Sequence, residues 1–300
     1  MARQFMQDID RQYRMIQVLI YVFMHNQFEL RYDVYIESKR FFKQEVKRMR
    51  LSGKVAVVTG GGTGIGQGAA IALAAEGAKV MVLGRRPEPL NETVARIEKA
   101  GGEALAFPAD LTDEEQINKA VQLLQSRWGR ADVLVNNAGS SMRKSFMKVT
   151  MDELDELYRV DLRSVYAVTQ ALVPLLKEDG GGSIINISSI LGVLGSAQST
   201  AYCAMKGGVV NLTRAMAAEL GPEIRVNCLC PSHIITPMME AEMARLEAAG
   251  KMDKLNRLFP MKRVGYPQDM NGAIVFFASP DSAWITGNHL MIDGGLSCYV

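Results

Sequence analysis

The sequence predicts an α/β fold: a doubly wound parallel sheet of about seven strands, with a helical extension at its amino end. Three observations predict it. From Leu51 onward, short β-branched runs alternate with helix-like stretches, and strict strand–helix alternation implies parallel strands joined by right-handed crossovers. A glycine-rich turn lies between the first strand and the first helix, at residues 60–66. Residues 1–50 have a different texture, with no Gly and no Pro.

Taken in order, Lys54–Thr59 reads as the first strand and Ile65–Glu76 as the first helix, ended by Gly77. Lys79–Leu83 is a strand, and Leu90–Ala100 a helix closed by Gly101-Gly102. The strand Ala104–Pro108, the helix Asp113–Trp128, the strand Val133–Asn136 and one long helix, Met151–Lys177, continue the alternation. Ser183–Ile187 and Ile224–Leu229 are strands on either side of a helix at Ala201–Leu220, which Gly221-Pro222 ends. A helix near Gln268–Phe277 and a strand at His289–Ile292 complete the body, read as one catalytic domain over 51–300. Apolar periodicity sets each element's type, and Gly or Pro its ends.

The first 50 residues carry 9 of the chain's 21 aromatic residues, the opposite of a disordered tail, and read as one or two long helices. The run Met15–Met24 is almost wholly apolar, but about ten residues fall short of the roughly 20 that span a bilayer. Asp8 and Asp10 precede it and no small-residue cleavage site follows, which argues against a signal peptide. Packing on the body or a sister subunit, contact with a membrane surface, and a dedicated protein partner all stay open for this segment. It holds 10 basic and 6 acidic residues; the remaining 250 residues hold 24 and 26. The body is therefore not basic and offers no nucleic-acid surface. Four cysteines in 300 residues make no disulfide framework and read as reduced thiols in the cytoplasm. Cys228-Leu229-Cys230 has no His or second Cys pair nearby in sequence, so no metal site is assigned.

The first strand runs into Thr59-Gly60-Gly61-Gly62-Thr63-Gly64-Ile65-Gly66. Glycines let the backbone turn tightly and approach a pyrophosphate, and the helix that follows offers unpaired N–H groups and the positive end of its dipole. A turn of this kind between strand and helix points to a dinucleotide held at the carboxyl ends of the sheet. The spacing is T-G-x-x-x-G-x-G. With the motifs below, it makes the chain resemble the short-chain dehydrogenase/reductase family across about residues 51–295. The resemblance implies a Rossmann-like body and a nicotinamide cofactor, with Thr59, Gly60, Thr63, Gly64, Ile65 and Gly66 among the cofactor contacts.

In dinucleotide folds a carboxylate at the end of the second strand holds the adenosine ribose, and an arginine there accommodates a 2′-phosphate. Here that strand ends Leu83-Gly84-Arg85-Arg86, with no carboxylate and two guanidiniums able to fork onto phosphate. NADP(H) is the expected preference; NAD(H) stays open if Arg85 and Arg86 are only solvated. By the same resemblance Asp110-Leu111 contacts the adenine ring, the alternative for Asp110 being an N-cap-like loop acid. Asn136-Asn137-Ala138-Gly139 resembles the family's N-N-A-G element. Its small residues let the loop pass close to the cofactor, which adds Asn137, Ala138 and Gly139 to the contacts, and its asparagines brace neighbouring strands.

Tyr202-Cys203-Ala204-Met205-Lys206 is Y-x-x-x-K, which on a helix puts Tyr202 and Lys206 one turn apart on one face. A free phenol, with a pKa of roughly 10, is a poor base near neutrality, and a nearby ammonium favours its ionised form. Tyr202 then serves as the proton donor and acceptor between a ketone and an alcohol. The resemblance adds that Lys206 holds the nicotinamide ribose, which places both residues among the cofactor contacts. Ser189, thirteen residues before Tyr202 and closing the fifth strand, matches the family's catalytic serine, with Ser188 as the alternative. A hydroxyl there can stabilise charge developing on a substrate oxygen. One position departs from the pattern. Where the family usually has an asparagine, Val160-Asp161-Leu162 supplies an aspartate, which when ionised accepts hydrogen bonds but cannot donate them. Asp161 is expected either to support the proton relay or to weaken it.

After the sixth strand, Pro231-Ser232-His233-Ile234-Ile235-Thr236-Pro237 resembles the family's P-G-x-x-x-T segment, with Ser232 in place of glycine. Ile234 and Thr236 are thereby expected to meet the nicotinamide carboxamide. Serine does not adopt positive φ as cheaply as glycine, so the local path is expected to differ. Residues 238–262, rich in Met, Ala and Leu, read as a helical lid over a hydrophobic or mixed substrate, or as ordinary helical core. Ile292-Asp293-Gly294-Gly295 resembles the family's carboxyl-terminal element, which implies a homo-oligomer, a tetramer or a dimer.

The leading functional reading is a short-chain NADP(H)-dependent carbonyl reductase or alcohol dehydrogenase acting on a small molecule. Two others are kept. Gly60–Gly64 also resembles the turn of dienoyl-thioester reductases, so a dienoyl or enoyl thioester is an alternative substrate. A non-catalytic NADP(H)-binding regulator or scaffold working through residues 1–50 is the third.

Overall fold

The computed structural model describes residues 49–299. The helices expected over 1–50, with Met15–Met24, therefore lie outside the described residues save for the last two positions. Arg50, assigned to the extension from sequence, pairs with Glu76 at 2.8 Å and so packs with the body.

Seven strands form one sheet: β1 (Val55–Thr59), β2 (Lys79–Gly84), β3 (Ala104–Pro108), β4 (Val133–Asn136), β5 (Gly182–Ile187), β6 (Ile224–Pro231) and β7 (His289–Ile292). Their order is β3-β2-β1-β4-β5-β6-β7, and every pairing is parallel. The predicted doubly wound parallel sheet is the fold. The chain moves outward from β1 to β3, then returns to place β4 on the other side of β1. That reversal opens a crevice beyond the carboxyl ends of β1 and β4, where such sheets bind ligands.

The helices are α1 (Gly64–Ala75), α2 (Pro87–Lys99), α3 (Glu114–Trp128), α4 (Met151–Tyr158), α5 (Ser164–Lys177), α6 (Thr200–Leu220), α7 (Glu240–Ala248), α8 (Met252–Arg257) and α9 (Pro267–Ala278). Side chains alternate across a strand. Ala56 and Val58 of β1 therefore pack with α1, α2 and α9 through Leu73, Ile97 and Ile274. Val55 and Val57 pack with α3, α5 and α6 through Leu124, Leu172 and Met216. With both faces covered, the central strands are continuous apolar runs, and each fully buried aliphatic side chain contributes about 1.5–3 kcal/mol.

At the sheet's amino-terminal edge, buried Asp132 holds three partners. Its carboxylate accepts from Lys54 Nζ at 2.8 Å, from the backbone N–H of Val55 at 2.9 Å and from Arg130 Nε at 2.9 Å.

Most element bounds agree with the prediction to within two residues, and two elements differ by more. Helix α2 begins at Pro87, three residues before the expected Leu90. Proline at a first helical turn forfeits no hydrogen bond and arrives with φ already set, so it starts this helix rather than ending the loop. The single long helix expected over Met151–Lys177 is interrupted: α4 passes into a π turn, Arg159–Arg163, before α5 begins. Asp161 is the middle residue of that turn and is fully buried.

Candidate active site

The residues singled out in the sequence sit beyond the carboxyl ends of the strands, along one edge of the sheet. The glycine turn lies between β1 and α1. Gly60 has φ +64, and a Cβ there would stand 2.7 Å from Asn137 Nδ2. Asn137 Nδ2 donates to the carbonyls of Thr59 (2.9 Å) and Gly60 (3.2 Å). Thr59 Oγ1 accepts the backbone N–H groups of Asn137 and Ala138, each at 2.9 Å. These bonds stitch the loop after β1 to the loop after β4. The side chain of Thr59, at 2% exposure, thus braces the turn from beneath. Thr63 caps α1 without a side-chain hydrogen bond, and no acidic residue stands in the first turn. The first N–H groups of α1 are therefore available to an anion. Ile65 packs into the core below, and Thr236 closes on the turn, its Cγ2 2.9 Å from where a Cβ of Gly64 would be.

Arg85 and Arg86 follow β2 at this same edge, exposed and without an ion pair among the described residues. A turn opened by three glycines, a helix end without a side-chain cap and two guanidiniums without an ion pair among the described residues could hold the phosphates of a dinucleotide.

Asp110 follows β3. Its Oδ1 accepts both the backbone N–H and the hydroxyl of Thr112, each at 2.9 Å. The N-cap of α3 is Asp113, which accepts from the N–H groups of Glu115 and Gln116. Asp110 is thus a loop acid that shapes its own turn, beside buried Leu111. Asn136 braces as expected: its Nδ2 donates to Thr169 Oγ1 and Asn186 Oδ1, each at 2.9 Å. Asn186 in turn donates to Thr213 Oγ1 at 2.9 Å. A polar chain therefore runs from α5 through β4 and β5 to α6 under the site. Asn186 and Thr213 carried no sequence signal beyond being polar in apolar surroundings.

Tyr202 and Lys206 share one face of α6, with Nζ 5.7 Å from the Tyr202 ring centroid. Lys206 is buried. Its ammonium donates to the Ile187 carbonyl at 3.4 Å and lies 3.5 Å from Asp161 Oδ2. Burial disfavours the charged lysine, but the neighbouring Tyr202 and Asp161 outweigh it and hold Lys206 above the usual lysine range. Gly139 makes room for the pair, since a Cβ there would lie 3.2 Å from Nζ. The two serines after β5 separate by their bonds. Ser188 Oγ donates to the Lys206 carbonyl at 2.8 Å, so its proton is used inside the fold. Among the described residues Ser189 Oγ only accepts, from the N–H of Leu191 at 3.1 Å, which leaves its own proton for another oxygen.

Ile234 is buried and bridges Gly265, where a Cβ would stand 2.4 Å from its Cδ1. Ser232 does not take positive φ, so serine meets no strain here. Its N–H bonds the Ile292 carbonyl at 3.2 Å, continuing the β6–β7 ladder. His233 packs edge-on against Phe259 at 5.8 Å, and its burial holds it below the usual histidine range. Residues 238–262 contain α7 and α8, anchored at their end by fully buried Phe259, while Met238, Leu258 and Met261 are exposed.

Two further residues went unnoticed in the sequence. Gln198, in the loop before α6, has φ +62, and its carbonyl accepts the Lys144 N–H at 2.7 Å. Ser140, directly after N-N-A-G, binds Asp161 through two donors.

Residues 60–297 match a family model described as enoyl-(acyl carrier protein) reductase. The 3-oxoacyl-(acyl-carrier-protein) reductase of Thermotoga maritima is 37% identical over 249 residues, covering 83% of this chain and 99% of that one. The crystal structure of levodione reductase superposes with a TM-score of 0.79 at 32% identity, covering 84% of this chain and all of that one. A structure of an actinorhodin polyketide ketoreductase variant with NADPH gives a TM-score of 0.78 at 30% identity, covering 81% and 97%.

Proposed function

The chain belongs to the short-chain dehydrogenase/reductase family, and on that premise we propose that this oxidoreductase interconverts a ketone and a secondary alcohol with NADP(H). One observation carries the reading: Tyr202, a cationic Lys206 and a Ser189 with a spare proton stand at the same sheet edge as the glycine turn.

Bound in the crevice, the nicotinamide would supply or accept the hydride. Ser189 donates a hydrogen bond to the substrate oxygen and stabilises the charge that develops there. Tyr202 gives a proton to that oxygen in reduction and takes it back in oxidation. Lys206 holds the nicotinamide ribose, and its positive charge stabilises negative charge on the Tyr202 oxygen during the transfer. Thr63, Gly64, Ile65 and Gly66 cradle the pyrophosphate, Asp110 and Leu111 flank the adenine, and Ile234 and Thr236 meet the carboxamide. Arg85 and Arg86 fork onto the 2′-phosphate, a preference supported by the NADPH in the ketoreductase relative.

Exposed methionines around α7 and α8 suit an apolar or mixed substrate. Exposed Trp284 before β7, Leu290 on it, Tyr158 at the end of α4 and Tyr166 near the start of α5 support a homo-oligomer. All four cysteines are free, which suits the cytoplasm. Among the described residues no helix is long and apolar enough to cross a membrane.

The test is NADPH and NADH oxidation by the purified protein across ketones, 3-oxoacyl thioesters, keto-sugars and enoyl thioesters, with Tyr202→Phe in parallel. Ketone turnover lost in the variant supports the reading. Turnover of an enoyl thioester alone, indifferent to Tyr202, replaces it with the reaction that the family description names.

A further inference from the structure

Asp161 is unusual in chemistry as well as in position. It is fully buried, and its two oxygens face different groups. Oδ1 accepts the backbone N–H of Ser140 at 2.6 Å and the Ser140 hydroxyl at 3.0 Å. Oδ2 accepts no hydrogen bond among the described residues and faces the Lys206 ammonium at 3.5 Å. Consider an asparagine in the same place. If its carbonyl took the Ser140 donors, its NH₂ would point at an ammonium that can only donate. If the amide were turned over, the NH₂ would confront the Ser140 backbone N–H, which cannot turn away. Only an ionised carboxylate accepts from Ser140 on one side and opposes the ammonium with charge on the other.

We propose that Ser140 is a positioning residue: its two donors fix the Asp161 carboxylate so that an acid, not an amide, faces Lys206, and this trio sets the working pH of the site. The inference rests on the proposed ketone–alcohol reaction. The titratable groups facing Lys206 are Tyr202 on its own helix, Asp161 on the π turn, and Cys228 and Cys230 on β6. Asp161 is the neighbour whose charge offsets that of Lys206. Each hydrogen bond from Ser140 spreads the carboxylate's charge and so trims its pull on the ammonium. Removing the carboxylate's charge leaves the cation free to favour an ionised neighbour; removing the hydroxyl donor does the reverse.

The experiment measures the pH dependence of kcat/KM for alcohol oxidation in the full chain, for Asp161→Asn, Ser140→Ala and Ser140→Thr. The Lys206 side chain is titrated in parallel by NMR of lysine-labelled protein, assigned with Lys206→Met. Asp161→Asn should move the acid limb about one unit toward lower pH and bring the Lys206 titration down with it. Ser140→Ala should move both in the opposite direction by a smaller amount, and Ser140→Thr should behave as the unaltered chain. Variants that lower turnover evenly at every pH, with neither the limb nor Lys206 displaced, would overturn the proposal and leave Ser140 a packing residue. Should the unaltered chain turn over no ketone or alcohol, the proposed reaction fails, while the Lys206 titration still decides the trio.

Discussion

The carbonyl oxygen of Gly60 lies 2.2 Å from where a Cβ of Gly66 would stand. The contact is between backbone atoms, so no rotamer can relieve it. Gly66→Ala must open the turn, at a strain of about 1–3 kcal/mol or more. NADPH affinity should fall at least tenfold in a fluorescence titration. Gly272→Ala is the control. It meets nothing within 4 Å in the exposed interior of α9, and should raise stability by roughly 0.5–1 kcal/mol through helix propensity. Equal NADPH binding by Gly66→Ala and the unaltered chain would show that this turn does not hold the pyrophosphate.

Arg85 and Arg86 are exposed and their side chains bond no other group among the described residues, so replacing them disturbs no contact there. A hydrogen bond to a charged group is worth about 1.5–3 kcal/mol, and each 1.4 kcal/mol is about tenfold in affinity. Arg85→Ala plus Arg86→Ala should raise KM for NADPH by about 10- to 100-fold and leave that for NADH nearly unchanged. Steady-state kinetics with both cofactors decides it; parallel losses for the two would remove the phosphate from the explanation.

The different bonds of the two serines predict different phenotypes. Ser189→Ala should cut ketone reduction by about 10²- to 10³-fold, the usual loss of a donor to a developing oxyanion, with thermal stability kept. Ser188→Ala removes the hydroxyl donor that the Lys206 carbonyl has beside its helical one, and should cost about 1 kcal/mol of stability, seen as a lower Tm with turnover largely retained. A reversed pattern would exchange their roles.

Asp132 serves stability far from this chemistry. Burial raises its pKa, but Arg130, Lys54 and the Val55 N–H together pull it below the usual aspartate range. A group depressed on folding contributes stability above its unfolded pKa of about 4 and loses it as pH falls through the folded value. Thermal melts should therefore show part of the acid lability below about pH 4 vanish in Asp132→Asn. The same variant should be less stable at pH 7 by about 1.5 kcal/mol, since it removes the buried charge that Lys54 and Arg130 bond from partly exposed positions. Ketone turnover below the melting point should be untouched.

What was legible in the sequence follows from what each element exposes to a pattern. The runs 133–136 and 289–292 gave their strands residue for residue, because turn residues and polar groups bound them closely. The glycine turn and Y-x-x-x-K were legible because their chemistry is local. The break after Tyr158 was not: Arg159–Arg163 contains neither Gly nor Pro, and a π turn leaves no mark in apolar spacing read over so short a stretch. Ser140 was equally silent, since its partner lies 21 residues away and only the fold joins them.

The π turn has a consequence for how the chain tolerates change in length. Successive residues of an α-helix are rotated by about 100°. The extra residue therefore puts α4 and α5 out of phase, so that Leu157 on one and Val165, Val168 and Leu172 on the other all reach the interior. Deleting a single residue between 159 and 163 would leave a smooth, better hydrogen-bonded helix. It would also swing one of those apolar rows into water and carry Asp161 away from Lys206. Exposed side chains along this stretch, such as Arg159, can be exchanged one at a time, but the count of residues between Leu157 and Val165 cannot, and insertions or deletions there should be purged where such substitutions survive.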